Sequence, residues 1–369
     1  MKILVTGAMG FIGKNLVAEL RNRKYADIYE YGRDSDQVLL EAYCQDADFV
    51  FHLAGVNRPQ DQSEFMNVNY GFTALLLKVL KKHGNKCPIL IASSTQAERD
   101  NPYGISKKAG EELLHEYSKE TGAKVLIYRF TNVFGKWCRP NYNSVVATFC
   151  HNIAHGLPIT INDSNTILNL VYIDDVVNEL INAMTGNENV VDNTCQVPEY
   201  HKASLGDIAA LISSFRQSRE DRSIPDMSDQ FVKKLYSTYL SYLPENQFSY
   251  QLKMNVDNRG SFTEFIKTPD RGQVSINISK PGISKGNHWH HTKNEKFLVV
   301  SGKGVIRFRK IDSSEVIEYF VSGDVLEVVD IPIGYTHNIE NLGETDMVTV
   351  MWANEQFDPE KPDTFYLGV

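Results

Sequence analysis

Two groups of residues have the types and spacing for chemistry. In Tyr103-Gly104-Ile105-Ser106-Lys107 a phenol and an ammonium stand four residues apart, and on a helix that spacing puts them on one face. A nearby cation favours phenolate and lowers the phenol pKa. Tyr103 is then placed to hand a proton to a carbonyl oxygen while hydride reaches its carbon. Upstream, Ser93-Ser94-Thr95 closes an apolar run, where a hydroxyl can hold that same oxygen. Gly7-Ala8-Met9-Gly10-Phe11-Ile12-Gly13 follows the first apolar run and opens a helical pattern. Its glycines let backbone approach a pyrophosphate, which the free N–H groups of a helix start attract. About twenty residues on, where a second strand should meet the adenosine ribose, the chain reads Tyr31-Gly32-Arg33-Asp34. Arg33 can clamp a 2′-phosphate, which favours NADPH; in the alternative Arg33 is solvated and Asp34 takes the ribose hydroxyls.

The second group is His288-Trp289-His290, Glu295 and His337. His288 and His290 are two apart and share a face on a strand. Glu295 follows the polar turn Thr292-Lys293-Asn294 and is expected to face back across a hairpin. His337 enters another strand after Pro332-Ile333-Gly334. Three imidazoles and a carboxylate converging inside a barrel suit Zn²⁺ first, with Ni²⁺, Mn²⁺ or Fe²⁺ as alternatives. A histidine-rich surface turn that binds nothing is the plain alternative. His291 falls on the opposite strand face and is expected to be solvated.

These residues need elements to place them. Up to about Leu243, brief apolar runs (Lys2 to Val5, Phe49 to Leu53, Ile89 to Ala92, Val125 to Tyr128) alternate with helical stretches (Ile12 to Arg21, Ala74 to Lys82, Ser106 to Thr121). That alternation predicts a parallel sheet with helices on both faces. From about Gln247 the pattern becomes period two, as in Val274 to Ile278 and Val305 to Arg309, with glycine and proline at short intervals. That predicts an all-β sandwich or small barrel. The expected domains are residues 1–243 and 247–369, joined near Pro244-Glu245-Asn246.

Length supports this division, since 369 residues suit about two unequal domains. A formal charge of −8 argues against nucleic acid or an anionic membrane as partner. Five cysteines without a C-x-x-C pair exclude a disulfide framework and fit a reducing cytoplasm. No stretch has the length of a membrane span.

The first part resembles the extended short-chain dehydrogenases/reductases that handle nucleotide sugars. The matching pieces are the glycine turn, Tyr103 and Lys107, Asp48-Phe49-Val50-Phe51-His52-Leu53-Ala54-Gly55, Asn67-Val68-Asn69-Tyr70-Gly71, Arg129-Phe130-Thr131-Asn132-Val133-Phe134-Gly135, and Val171-Tyr172-Ile173-Asp174-Asp175-Val176. The resemblance implies a Rossmann fold, with Tyr103 as acid/base. It implies that Lys107 tunes Tyr103 and holds the nicotinamide ribose. The third catalytic hydroxyl matches Thr95 best and Ser94 next. The cofactor site would comprise Gly7, Gly10, Phe11, Ile12, Gly13, Arg33, Leu53, Ala54 and Gly55 with Tyr103 and Lys107, and Asn132 would touch the sugar nucleotide. Gly32-Arg33 stands where the family carries an acidic residue, which favours NADPH over NAD.

The second part resembles the cupins, whose two motifs make His288, His290, Glu295 and His337 metal ligands. In the second motif eight residues, where the pattern has five, separate Gly323 from Pro332. Asp257-Asn258-Arg259-Gly260-Ser261-Phe262-Thr263-Glu264 is similar to the entry motif of the deoxysugar-nucleotide 3,5-epimerases, which implies that Arg259 meets substrate. That second resemblance makes His288 a general base, and a metal would occupy the lone pair a base needs. Phe357-Asp358-Pro359 lies where those epimerases carry an acidic tyrosine, so that role does not transfer. The whole arrangement resembles the bifunctional enzymes of capsular polysaccharide synthesis that fuse a reductase to a cupin. It implies C3 epimerisation of UDP-2-acetamido-2,6-dideoxy-4-hexulose, then NADPH reduction to UDP-2-acetamido-2,6-dideoxy-L-talose on the way to N-acetyl-L-fucosamine, by a homodimer. The competing expectation is a reductase whose cupin is a metal-stabilised binding or dimerisation module.

Overall fold

The apolar runs of the first part become strands buried on both faces. In the computed structural model, which describes residues 1–369, β1 (Lys2–Thr6), β2 (Asp27–Tyr31), β3 (Phe49–His52), β4 (Ile89–Ser94) and β5 (Val125–Phe130) are parallel, in the order β2-β1-β3-β4-β5. Every residue of β3 and β4 is buried, as helices on both faces require. Along β1, Ile3 and Val5 join one apolar cluster with Leu16, Leu20, Val176 and Leu180, while Leu4 joins the other with Leu76, Leu80, Leu114 and Tyr117. The helices are α1 (Phe11–Asn22), α2 (Gln37–Asp46), α3 (Thr73–Lys82), α4 (Pro102–Thr121), α5 (Val145–Ala154), α6 (Ile173–Met184), α7 (Leu205–Asp221) and α8 (Gln230–Leu240). A small sheet of β6 (Asn132–Phe134), β7 (Ile167–Tyr172) and β10 (His201–Ser204) stands beside the main one, which β9 (Thr194–Cys195) and β8 (Val190–Val191) extend.

The period-two stretches of the second part form two antiparallel sheets. One runs β11 (Asn255–Asp257), β12 (Gly260–Thr268), β13 (Gly272–Ser279), β20 (Met347–Ala353), β15 (Glu295–Ser301), β18 (Val328–Ile331). The other runs β17 (Val316–Ser322), β16 (Lys303–Lys310), β19 (Tyr335–Asn341), β14 (Ser284–Trp289), β21 (Phe365–Tyr366). Phe297, Val299, Val329 and Met347 from the first sheet pack with Ile306, Phe308, Val321 and Ile339 from the second. Elsewhere the interior is polar: Gln273, Ser275, Asn277 and Thr349 are buried and, through the β13–β20 pairing, share one face.

The fold departs from the single joint expected near Pro244. One compact unit is Met1–Ser213 with Asp229–Pro244, and the other is Ser214–Ser228 with Glu245–Val369. The extra segment is held by backbone: Lys267 N–H donates to Arg222 O at 2.9 Å and Ile224 N–H to Lys267 O at 3.1 Å. Nothing in the apolar pattern of α7 marks that change of partner. No helix is long and apolar enough to cross a membrane.

Candidate active sites

In the first unit the glycine turn sits at the corner between β1 and α1. Gly7 has φ +70° and donates its N–H to Tyr31 O at 2.8 Å, which ties the turn to the end of β2. A Cβ on Gly7 would lie 2.7 Å from Ala54 N, and one on Gly13 would lie 2.2 Å from Gly7 O. Both positions therefore exclude any side chain. No side chain caps α1 at Gly10, which leaves its first N–H groups for an anion. Phe11 and Ile12 pack their side chains on the core beneath. Leu53 continues from β3 and donates its N–H to Thr6 O at 3.1 Å. Arg33, just beyond β2, is 86% exposed, and its one ion pair is with Glu64 at 3.8 Å.

Tyr103 and Lys107 share the first turns of α4. Pro102 stands at the helix start and the Asn101 side chain accepts from Gly104 N at 2.9 Å, so the helix begins one residue before Tyr103. Lys107 is buried. Its ammonium donates to Ala92 O at 2.9 Å and lies 6.0 Å from the centre of the Tyr103 ring. Gly55 makes room for it, since a Cβ there would lie 2.9 Å from Lys107 Nζ.

Two expectations change here. Lys107 does not lower the Tyr103 pKa. Burial pushes that phenol up, while the Ser94 hydroxyl pulls the other way. The amine is itself lowered to about 8 by burial, against the nearby Glu111 carboxylate. Tyr103 is thus held as a phenol, the form that can donate. Ser94, not Thr95, is the hydroxyl set against it. Ser94 is buried at the end of β4, whereas the Thr95 side chain opens the next turn and is exposed. Asn132 opens β6, is exposed, and donates to Asn169 O at 3.2 Å.

Beneath these groups lies a polar relay that residue types did not flag. The His52 ring meets Thr6 Oγ1 at 2.7 Å through Nδ1 and Thr73 Oγ1 at 2.9 Å through Nε2. Thr73 donates to Asn69 O, and the Asn69 amide donates to Ser106 Oγ and Val56 O. Burial lowers the His52 pKa to about 3, so the ring is neutral and bridges β3 to α3. The signal was present in the quoted runs around His52 and Asn69, but their role needed the third dimension.

In the second unit, ligand atoms of His288, His290, Glu295 and His337 all lie within 4.8 Å of one another. The expected hairpin is absent. β14 pairs with β19 and β21, while β15 pairs with β18 and β20 in the opposite sheet. Glu295 therefore faces the histidines from across the sandwich. Its Oε2 is 3.4 Å from both His290 Nε2 and His337 Nε2. His288 and His337 are direct neighbours across β14 and β19, with ring centres 4.6 Å apart. His290 lies just past β14, and His291 is exposed.

His290 Nε2, Glu295 Oε2 and His337 Nε2 are buried without a hydrogen-bond partner. Buried polar atoms rarely stay unpaired, and three that converge fit a divalent cation. Burial, with His337 adding to it, lowers the His288 pKa to about 4, and the neighbouring imidazoles hold Glu295 well below the usual carboxylate range despite its burial. Neutral imidazoles and an ionised carboxylate are the ligand forms. The cluster opens on a cavity of about 530 Å³ that is also lined by Arg259, Lys285, Asn277, Glu264 and Phe357. Arg259 pairs with Asp257 at 2.6 Å at the exposed rim, and Lys285 Nζ donates to Asn277 Oδ1 and Ile278 O, each at 2.8 Å. Sequence reasoning missed Lys285 and the Asp363 contacts described below, which lie outside any quoted motif role.

Comparison with known proteins agrees with this architecture. Residues 3–196 match the NAD dependent epimerase/dehydratase family and residues 255–365 match the polysaccharide biosynthesis C-terminal domain. The capsular polysaccharide assembling protein CapF from Staphylococcus aureus is 58% identical, with all of both chains covered and a TM-score of 0.95. A structure of CapF with the inhibitor 3-isopropenyl-tropolone is 54% identical over all of both chains, with a TM-score of 0.91. The UDP-2-acetamido-2,6-beta-L-arabino-hexul-4-ose reductase of Pseudomonas aeruginosa is 45% identical, covering 100% of this chain and 99% of the relative.

Proposed function

This chain belongs to the NAD dependent epimerase/dehydratase family, in the branch that includes CapF, and from that premise we propose a bifunctional nucleotide-sugar enzyme of capsular polysaccharide synthesis. The second unit epimerises C3 of UDP-2-acetamido-2,6-dideoxy-4-hexulose, and the first reduces the C4 ketone to give UDP-2-acetamido-2,6-dideoxy-L-talose. The observation that carries this reading is the presence of two separate constellations suited to one ketone: a protonated phenol beside Ser94, and four metal-capable donors at a 530 Å³ cavity.

In the first unit Ser94 and Tyr103 receive the carbonyl oxygen. A nicotinamide held at the glycine turn would supply the hydride to C4. Tyr103 gives its proton to the oxygen, so the C=O bond becomes H–C–O–H and the phenolate is left for reprotonation from solvent. Lys107, an ammonium below about pH 8 held in place by Ala92 O, would hold the nicotinamide ribose. The exposed guanidinium of Arg33, held only by a long 3.8 Å pair with Glu64, supports NADPH, because a 2′-phosphate would offer it a closer charged partner.

In the second unit His288, His290, Glu295 and His337 would hold a divalent metal, Zn²⁺ by their chemistry. Such an ion would supply a positive charge that lowers the pKa of protons flanking a ketone. Arg259 at the cavity rim supports a role in holding the sugar nucleotide. His288 must be neutral both as ligand and as base, and burial makes it so. The homodimer belongs to the same proposal; exposed Phe320, Val325 and Leu326 near the β17 edge support a covered face there.

A second reading, a reductase whose barrel only binds, is favoured by the name of the Pseudomonas relative, which states a reductase alone. Product NMR from the UDP-4-keto sugar, with and without NADPH, separates the two. Epimerisation or C3 exchange without NADPH supports the bifunctional reading. A reduced product that never passes through C3 exchange rejects it.

A further inference from the structure

The 362–369 segment folds back over the histidine cluster, and its contacts converge on one ligand. Asp363 O accepts from His290 Nδ1 at 2.6 Å. With its proton committed on Nδ1, the ring turns the Nε2 lone pair toward Glu295 and His337. The Asp363 carboxylate accepts the backbone N–H groups of His291, Thr292 and Lys293 at 3.0, 2.8 and 2.8 Å. Buried Lys293 closes the loop by donating to Pro362 O at 2.7 Å and Thr364 Oγ1 at 3.1 Å. Further on, β21 pairs with His288 and Trp289, Leu367 N–H donates to Asn287 O at 2.9 Å, and Arg309 Nη2 donates to Gly368 O at 2.6 Å.

Asp363 holds φ +36°, a left-handed conformation that costs any residue with a Cβ, though aspartate bears it better than most. Five hydrogen bonds on one residue maintain it. Four of them, one from the Thr292 hydroxyl, grip the loop behind His290, and the fifth fixes the tautomer of His290. This is more than a chain end resting on a sheet, because each bond acts on the residue carrying a donor atom or on the three that follow it.

We propose that Asp363 is a positioning residue for the metal of the second unit, clasping the 290–293 loop so that His290 presents Nε2 to the ion. The inference rests on the reading that the cluster binds a divalent cation. Outer partners that orient a metal-bound histidine are worth roughly 10- to 100-fold in affinity.

The test uses the full chain and Zn²⁺ alone, with affinity read by competition against a chromophoric chelator. Asp363→Ala should weaken Zn²⁺ roughly 10- to 100-fold, Asp363→Asn should fall between it and wild type, and Arg309→Ala, whose side chain bonds Lys310 O, Ser313 O and Gly368 O but nothing in the 290–293 loop, should cost a few-fold at most. Nitrogen-15 shifts of the histidine rings in the metal-free chain give the second readout. His290 should be protonated at Nδ1 in wild type and a tautomer mixture in Asp363→Ala. Wild-type affinity in Asp363→Ala overturns the clasp. So does an affinity loss that follows only a fall in the melting temperature of the metal-free chain, with the His290 tautomer unchanged. A wild-type chain that takes up no Zn²⁺ overturns the metal reading itself, and the clasp with it.

Discussion

The reductase constellation and the histidine cluster are assembled over very different distances along the chain. Tyr103 and Lys107 sit four residues apart on one helix, and the glycine turn is a single strand-to-helix corner. The cluster draws on β14, the loop after it, β15 in the opposite sheet, and β19, with the 362–369 segment behind. The lesson concerns robustness. A site set by helix pitch keeps its geometry as long as the helix stands. A site spanning two sheets is only as ordered as the packing between them. Loosening the second unit should therefore weaken any metal held by its cluster well before it unfolds, while the first unit should lose its chemistry only with its fold.

The sharpest way to break this comparison is His290→Ala. It removes one of the three converging buried atoms, so zinc content by elemental analysis and C3 deuterium exchange should both fall to background, while NADPH-dependent reduction of a pre-epimerised substrate continues. Next comes Tyr103→Phe, which removes the donated proton. Reduction should fall about 10²- to 10⁴-fold in steady-state assays, with C3 exchange untouched. The hydroxyl beside the phenol gives the third measurement. Ser94→Ala should lower kcat more than Thr95→Ala, because Ser94 is the partner set against Tyr103; the reverse order would return the role to Thr95.

Two smaller effects sharpen the cofactor side and the scaffold. Arg33→Ala should raise KM for NADPH roughly 10-fold or more with little change for NADH, given about 1.5–3 kcal/mol for a charge-assisted contact. His52→Ala leaves the hydroxyl bridge of Thr6 and Thr73 broken and should cost about 1–3 kcal/mol in denaturant unfolding. The sign of its pH dependence follows from its pKa of about 3 in the fold, against an ordinary value of 6.5. Below 6.5 the unfolded chain binds a proton the native ring refuses, so wild-type stability falls as pH drops toward 3. His52→Ala should flatten part of that slope.

What was legible in the residues follows the same divide. The parallel sheet, α1 and α4 could be read because the apolar runs and the four-residue spacing are local. The donor set of the second unit could be read because strand alternation fixes which residues share a face. The opposite-sheet position of Glu295 could not, because a short polar turn serves equally for a hairpin and for a crossing between sheets. The pKa of Tyr103 was misjudged because burial, which opposes the charged form, is invisible in spacing alone. Asp363 had no signal at all: it acts through its backbone carbonyl and its grip on N–H groups some seventy residues away, and neither depends on a motif. Residues 214–228 changed units without any change in composition.

Complementation gives the most direct test of two sites treating one ketone. Tyr103→Phe and His290→Ala chains are each incubated with the UDP-4-keto sugar and NADPH in D₂O, alone and then mixed, and the product is followed by NMR. Neither should yield the reduced C3 epimer alone, and the mixture should yield it with deuterium at C3. Full product from the His290→Ala chain alone, or none from the mixture, would contradict the account.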